Sequence, residues 1–328
     1  MKVFIITEGG RDIGIGHITR CISLCQAFEE KGIEPEFIVN GDDSVISLLK
    51  VRSYQVFNWI KERRRLFEGV RNADIAIIDS YLADIYIYER LSKIVKIPIC
   101  IDDNKRLEYP RGVVVNGSMY AKKLYYPIKN SVSYLLGVKY IPIRETFWNV
   151  PGNIIKENIE NVMITMGGVD TLNITPEILK MLVSSFPKLI KKVILGSGFQ
   201  NIDDIKNAAD NNTKLINNPD EKKMQRIMSE SDIAISAGGQ TTYELARMGL
   251  PVIILCLAEN QINNIRAMRE KGFAQYAGHY GDIDIFTKIK KKLRILKPQK
   301  VRQKISNIGR KLVDGKGARR IVKEGALL

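Results

Sequence analysis

Short, nearly continuous apolar runs alternate with amphipathic stretches along the whole chain. In the first half the runs fall at Val3–Thr7, Pro35–Val39, Asp74–Asp79, Ile97–Asp102 and Gly112–Asn116. In the second half they fall at Asn161–Met166, Lys192–Leu195, Thr213–Ile216, Asp232–Ser236 and Pro251–Cys256. Each is short and rich in β-branched residues, the pattern of parallel strands covered on both faces. Between them, His17–Lys31, Ala83–Val95, Pro176–Phe186 and Thr241–Met248 place apolar residues at helical spacing. Strand–helix alternation of this kind predicts an α/β protein of doubly wound, Rossmann-like sheets.

The alternation breaks between Ile141 and Asn153, where Pro142, Pro151, Gly152 and Asn153 read as a linker. The expected division is therefore two Rossmann-like domains, residues 1–150 and residues 151–328, the second carrying a helical C-terminal tail. Each half opens alike, with a strand, a glycine-containing loop and a helix: Thr7 to His17 in the first, Met166-Gly-Gly-Val-Asp170 in the second. In the tail, Pro298 starts one helix and Gly315–Gly317 punctuate before another.

A chain of 328 residues, 45% hydrophobic and 27% charged, fits two globular domains and excludes a disordered class. No apolar run approaches the roughly 18 residues that span a bilayer. The chain starts on a strand with no basic, hydrophobic and cleavable leader, so a cytoplasmic location is expected. Cys21, Cys25, Cys100 and Cys256 are scattered and form no metal-like spacing, which suits small core residues. The net charge of +15 changes the picture more. Nine of the 17 residues from Lys288 to Lys304 are basic and none is acidic, and Lys61-Glu-Arg-Arg-Arg65 is a second cluster. A solvated helix face is the leading reading, and weak association with anionic substrates or an anionic membrane surface comes next. Nucleic-acid binding is the weakest, because no aromatic residues interleave with the lysines.

In open parallel sheets the C-terminal strand ends gather on one edge, where ligands bind. After the first strand come Gly14, Gly16, His17 and Arg20. His17, at the hand-over from strand to helix, is the side chain best suited to moving protons near neutral pH, against the plainer reading of a helix cap. Asp79 and Asp102, at later strand ends, either orient the imidazole or only cap turns. Tyr81 either bonds a sugar or packs beneath a loop, and Asn260 equally suits a helix cap. In the second half, Gly238, Gly239, Gln240, Thr241 and Thr242 turn a strand into a helix whose first amides favour a diphosphate, with Glu244 one turn on facing ribose hydroxyls. The plainer reading is a tight turn with a threonine cap and a solvated glutamate. His279 lies in Gly278-His-Tyr-Gly281 and reads as a surface loop residue.

Taken in order, Gly14-Ile-Gly-His-Ile-Thr-Arg20, Ile78-Asp-Ser-Tyr81, Ile101-Asp-Asp103, Asn116-Gly-Ser-Met-Tyr-Ala121 and Leu136-Gly-Val-Lys-Tyr140 run through the first half. Ile143-Arg-Glu-Thr-Phe147, Met166-Gly-Gly-Val-Asp170, Glu259-Asn-Gln261 and Asp314-Gly-Lys-Gly-Ala318 continue the series. With these motifs the chain resembles the UDP-2,4-diacetamido-2,4,6-trideoxy-L-altropyranose hydrolases of pseudaminic acid biosynthesis. Those enzymes are similar in architecture to the glycosyltransferase B fold, and especially to the enzyme that makes lipid II. The resemblance implies hydrolysis of the anomeric C–O bond of a UDP-sugar with inversion, for nonulosonic acid or surface polysaccharide synthesis, without cofactor or metal. It makes His17 the base, with Tyr81 and Asn260 beside the sugar and the attacking water. The substrate-binding set is expected to comprise Gly14, Gly16, Arg20, Asp79, Asp102, Gly168, Gly238, Gly239, Gln240, Thr241, Thr242, Glu244 and Gln261, and the partners a UDP-sugar and water, with no nucleic acid. Ser80 stands where family members often have histidine, and serine cannot take imidazole's acid–base part. An inverting UDP-sugar glycosyltransferase of the lipid II-synthesising type is the alternative, and a nucleotide-sugar binding protein without catalysis a second one.

Overall fold

The computed structural model describes residues 1–10 and 13–325. Residues 11 and 12, inside the Thr7–His17 segment, and residues 326–328 of the tail lie outside the described residues. The chain divides into two units, residues 1–145 with 315–328, and residues 146–314.

The first unit is built on β1 (Val3–Gly9), β2 (Glu36–Gly41), β3 (Tyr54–Val56), β4 (Ile75–Asp79), β5 (Ile97–Ile101), β6 (Gly112–Asn116) and β7 (Val132–Leu136). All pair in parallel, in the order β3-β2-β1-β4-β5-β6-β7. Helices α1 (Gly16–Glu29), α2 (Ile46–Leu49), α3 (Arg63–Gly69) and α4 (Ile85–Ile94) make the crossovers. Both faces of the central strands are covered. Phe4, Ile6, Ile38 and Ile78 meet Trp59, Leu66, Ile87 and Leu91 in one core layer, and α1 buries Ile18, Leu24 and Phe28. The strand order reverses between β1 and β4, and this switch point is where such sheets open a crevice at their C-terminal edge.

The second unit repeats the plan. Its strands β8 (Asn161–Thr165), β9 (Ile190–Leu195), β10 (Thr213–Asn217), β11 (Ile233–Ala237), β12 (Val252–Cys256) and β13 (Ala274–His279) form a parallel sheet in the order β10-β9-β8-β11-β12-β13. Its helices are α5 (Ile174–Ser185), α6 (Ile202–Asn207), α7 (Glu221–Ser229), α8 (Thr241–Met248), α9 (Ile262–Glu270), α10 (Ile285–Leu296) and α11 (Gln299–Leu312). Its switch point lies between β8 and β11.

Two details differ from the expected division. The boundary falls between Glu145 and Thr146, within the expected linker, and the last helix, α12 (Gly317–Gly325), belongs to the first unit. The apolar face of α12, with Ala318, Ile321 and Val322, is buried and packs on α1. Arg319 grips the Glu30 carboxylate with two bonds, of 2.7 and 2.6 Å. Gly317 permits this return, because a Cβ there would overlap the Ile141 carbonyl. His279, expected in a loop, is the exposed last residue of β13.

Candidate active site

At the first switch point the cluster begins with a backbone device. Gly10 and Gly14 exchange two hydrogen bonds, of 3.1 and 2.8 Å, closing the loop that follows β1. Gly14 takes a φ of +83°, a conformation nearly free only to glycine. The loop delivers Gly16 as the first residue of α1, so His17 and Arg20 stand one turn apart at its start. Register pairs Thr7 of β1 with Asp79 of β4, which brings the Asp79 carboxylate beneath that turn.

Asp79 is fully buried. It accepts from His17 Nδ1 at 2.7 Å and from Arg20 Nε and Nη2 at 2.5 Å each. Burial alone would raise its pKa, but the Arg20 guanidinium and His17 outweigh burial and hold it well below the usual carboxylate range. An ionised carboxylate can only accept. Nδ1 therefore carries a proton toward Asp79, and in the neutral ring Nε2 is the nitrogen with the lone pair.

Arg20 continues the chain of contacts through a two-oxygen grip on Asp103, both bonds 2.8 Å. Burial would lower its pKa, and the Asp103 and Asp79 carboxylates more than offset this, so it stays charged. Tyr81 donates its hydroxyl to Asp103 at 2.6 Å, and its ring meets His17 edge to face with centroids 4.6 Å apart. Desolvation of the hydroxyl end and the Asp103 charge push the phenol well above its usual pKa, which keeps it a neutral donor. A closed ring of contacts results: His17, Asp79, Arg20, Asp103, Tyr81.

Two residues in this region were not among the expected site residues. Asp103, not Asp102, joins the cluster. The Asp102 carboxylate turns the other way and accepts from the Tyr126 hydroxyl at 2.7 Å and from the amides of Asn104 and Arg106. It is a turn-fixing residue, the plainer of its two readings. Glu8, 1% exposed, accepts from the Ser80 hydroxyl and, at 2.7 Å, from the Tyr81 amide. Ser80 in turn accepts from the amides of Leu82 and Ala83 at 3.0 and 2.9 Å. Ser80 thus anchors the loop that carries Tyr81 and is itself buried.

The second switch point offers two glycine loops. After β8, Gly167 takes a φ of +97° and the Gly168 carbonyl accepts from Gly198 N at 3.0 Å. Asp170 caps α5 through the amides of Ile174 and Thr175, at 3.1 and 2.9 Å. After β11, Gly238 and Gly239 lead into α8. A Cβ on Gly238 would stand 2.5 Å from Ile265 of α9, so only glycine lets the turn lie this close to α9. Asn264, which the sequence reading missed, secures the turn by donating to the Gly238 carbonyl at 2.8 Å and accepting from the Tyr243 hydroxyl at 2.7 Å.

Other expected ligand groups hold the turn itself. The Thr242 hydroxyl donates to the Gly239 carbonyl at 2.5 Å and is buried. Gln261 Oε1 accepts from the amides of Gly238 and Leu257 at 3.3 and 3.1 Å, tying the loops after β11 and β12 together. Glu244 lies in the first turn of α8 as expected, but it is buried rather than solvated. Gly239, Gln240 and Thr241 are partly exposed at the helix start. Asn260 is exposed in the single turn Glu259–Gln261 that follows β12. The structure thus brings His17, Arg20, Asp79 and Tyr81 together in the first unit, and the residues from Gly238 to Thr242 with Gln261 in the second. The four cysteines are buried and unbridged. No helix among the described residues is long and apolar enough to cross a membrane.

Comparison with known proteins agrees with this plan. Residues 162–311 match the glycosyltransferase family 28 C-terminal domain. An uncharacterized protein of Methanocaldococcus jannaschii is 27% identical over 80% of this chain and 57% of its own length. The pseudaminic acid cytidylyltransferase and UDP-2,4-diacetamido-2,4,6-trideoxy-beta-L-altropyranose hydrolase of Helicobacter pylori is 28% identical over 80% of this chain and 46% of its own. The chain thus spans about half the length of these two relatives. The spore coat polysaccharide biosynthesis protein SpsG of Bacillus subtilis is 22% identical over 98% of this chain and 96% of its own length. Among solved structures, MurG of Acinetobacter baumannii superposes with a TM-score of 0.67 at 11% identity, covering 100% of both chains. The UDP-GlcNAc 2-epimerase of Neisseria meningitidis, bound to UDP-GlcNAc, gives 0.66 at 15% identity over 99% of each. The fold is therefore glycosyltransferase B-like, with two Rossmann-like parallel-sheet units.

Proposed function

We propose that this protein hydrolyses a UDP-linked 2,4-diacetamido-2,4,6-trideoxy sugar at the anomeric C–O bond, with inversion, releasing UDP and the free sugar. The observation that carries the reading is the His17–Asp79 bond of 2.7 Å at the switch point of the first sheet. It fixes the tautomer that leaves Nε2 as a base. The hydrolase named in the Helicobacter pylori relative supports the choice of reaction, and the spore coat relative supports a role in surface polysaccharide synthesis.

In this mechanism a water molecule donates a hydrogen bond to His17 Nε2. Its oxygen forms a bond to C1 as the C1–O bond to the diphosphate breaks. The bonding pair leaves on the β-phosphate oxygen, and the water proton passes to Nε2. One displacement inverts the anomeric centre. The imidazolium then faces Asp79, already ionised, so charge is neutralised where it develops. The departing diphosphate carries its charge without protonation, and the first amides of α8 beside Gly239 and Gln240 would hold it. Tyr81 walls the imidazole, and Asn260 would contact the sugar or the water. The role is cytoplasmic synthesis of a nonulosonic, pseudaminic-type acid precursor.

The match to a glycosyltransferase family domain favours a second reading, transfer of the sugar from UDP to an acceptor hydroxyl. Proton and phosphorus NMR of the purified protein with a panel of UDP-sugars separates the two. Release of UDP together with free sugar, with no acceptor present, supports hydrolysis. Intact nucleotide sugar until an acceptor is added would assign the transferase.

A further inference from the structure

β1 buries Phe4 and Ile6 in the core layer that also holds Trp59, Ala83 and Ile87. Side chains of a strand alternate between faces, so Glu8 is the next residue on that same apolar face. It is 1% exposed, and a buried carboxylate is costly unless donors surround it. The donors all come from one loop. Oε1 accepts from the Tyr81 amide at 2.7 Å and the Leu82 amide at 3.3 Å, and Oε2 accepts from the Ser80 hydroxyl.

This donor pattern suits a carboxylate and no other side chain of its length. The Ser80 oxygen already accepts from the amides of Leu82 and Ala83, at 3.0 and 2.9 Å, so toward Glu8 it can only donate. Both Glu8 oxygens must therefore accept, one from the hydroxyl and one from the amides. Glutamine would offer an acceptor to one side and an NH₂ donor to the other, satisfying the first and opposing the second. An apolar residue would take the acceptor from all three donors.

The loop held in this way carries the aromatic wall of His17. Tyr81 is 42% exposed, so packing grips little of its surface and its backbone sets its place. From there its ring meets His17 edge to face, and its hydroxyl bonds Asp103 at 2.6 Å. Asp79 is the register partner of Thr7, and Glu8 follows Thr7, so Asp79 and Glu8 face opposite sides of the sheet. Asp79 holds the imidazole from one side, and Glu8 holds the loop of Tyr81 from the other.

We propose that Glu8 is a positioning residue for the proposed reaction. Its carboxylate fixes the backbone of residues 80–82 and through it seats Tyr81 against the His17 imidazole. The effect on turnover rests on the reading of His17 as the base, and the seating of Tyr81 does not.

The test is Glu8→Gln in the whole protein. The chain has two histidines, and His279 lies in the second unit, so its imidazole proton signals in NMR serve as an internal reference. Because the Tyr81 ring current acts on His17, Glu8→Gln should shift the His17 signals at constant pH and leave those of His279 in place. With a UDP-sugar, kcat should fall about tenfold while UDP affinity by calorimetry stays unchanged, as for a misplaced group. In a Tyr81→Ala background, Glu8→Gln should change neither the His17 signals nor kcat further, because the path runs through Tyr81. Unmoved His17 signals, or a kcat equal to that of the wild type, in a folded Glu8→Gln variant overturn the proposal. An equal further change in the Tyr81→Ala background overturns it too. Where Glu8→Gln fails to fold, Ser80→Ala decides, since it removes the hydroxyl donor and keeps the carboxylate. His17 signals that shift there support the proposal, and signals that stay overturn it. The NMR comparison needs no substrate, so a wild type that releases no UDP would count against the hydrolase reading and not against the seating of Tyr81.

Discussion

Replacing His17 by asparagine removes the Nε2 lone pair while leaving an amide that can still donate to Asp79. UDP binding measured by calorimetry should persist, and turnover should fall by roughly two or more orders of magnitude. Asp79→Asn acts differently, because it removes the charge that fixes the tautomer and faces the imidazolium. A roughly thousandfold loss of kcat is expected there. Asp79 also links the site to stability. Its folded pKa is depressed by Arg20 and His17 against the pull of burial, so its stabilising contribution is complete above the unfolded carboxylate value of about 4 and is lost as pH falls toward the folded one. Thermal midpoints followed from neutral to acid pH should therefore drop less steeply below about pH 4 in Asp79→Asn than in the wild type. An identical slope in both would sink this assignment. The pair His17 and Asp79 was legible in the sequence because each sits at a strand end next to a helix. Asp103 was not, because two adjacent carboxylates follow β5 and nothing in their spacing tells which one the turn aims at Arg20. Glu8 was hidden for a different reason, since it continues an otherwise apolar strand and its donors arrive from a loop more than 70 residues away.

The strands that the hydrophobic pattern missed share one position in the fold. β3, β7 and β13 are all outermost strands. Apolar runs mark strands buried on both faces, whereas an edge strand such as Tyr54–Val56, half-buried along its length, carries too little apolar sequence to stand out. The nine inner strands and the edge strand β10 were found, with ends within two residues of those expected. The terminal helix was expected correctly as a helix but assigned to the wrong unit, because amphipathic spacing shows that a face must be buried and not what buries it. Ile321, fully buried, tests that assignment. Ile321→Ala should cost about 2–5 kcal/mol. The two tryptophans report separately, with Trp59 in the first unit and Trp148 in the second. In denaturant unfolding, the Trp59 signal, read in a Trp148→Phe background, should move to lower denaturant. The Trp148 signal, read in a Trp59→Phe background, should not. The opposite pattern would return α12 to the second unit.

For the whole molecule, each unit carries its own switch point, and each switch point is furnished differently. The first holds the His17–Asp79 pair, proposed to move a proton, and the second the glycine turn from Gly238 to Thr241, proposed to seat a diphosphate. That asymmetry is what the proposed reaction requires, a base for water and a seat for the leaving group. The measurement that tests it most directly follows the oxygen. Hydrolysis of a UDP-2,4-diacetamido-2,4,6-trideoxy sugar in water enriched in oxygen-18 should place the label on C1 of the released sugar and none on UDP, as water attacks carbon. Label in the phosphate of UDP, or no UDP released until an acceptor is supplied, would contradict His17 as a base that drives water onto the anomeric carbon.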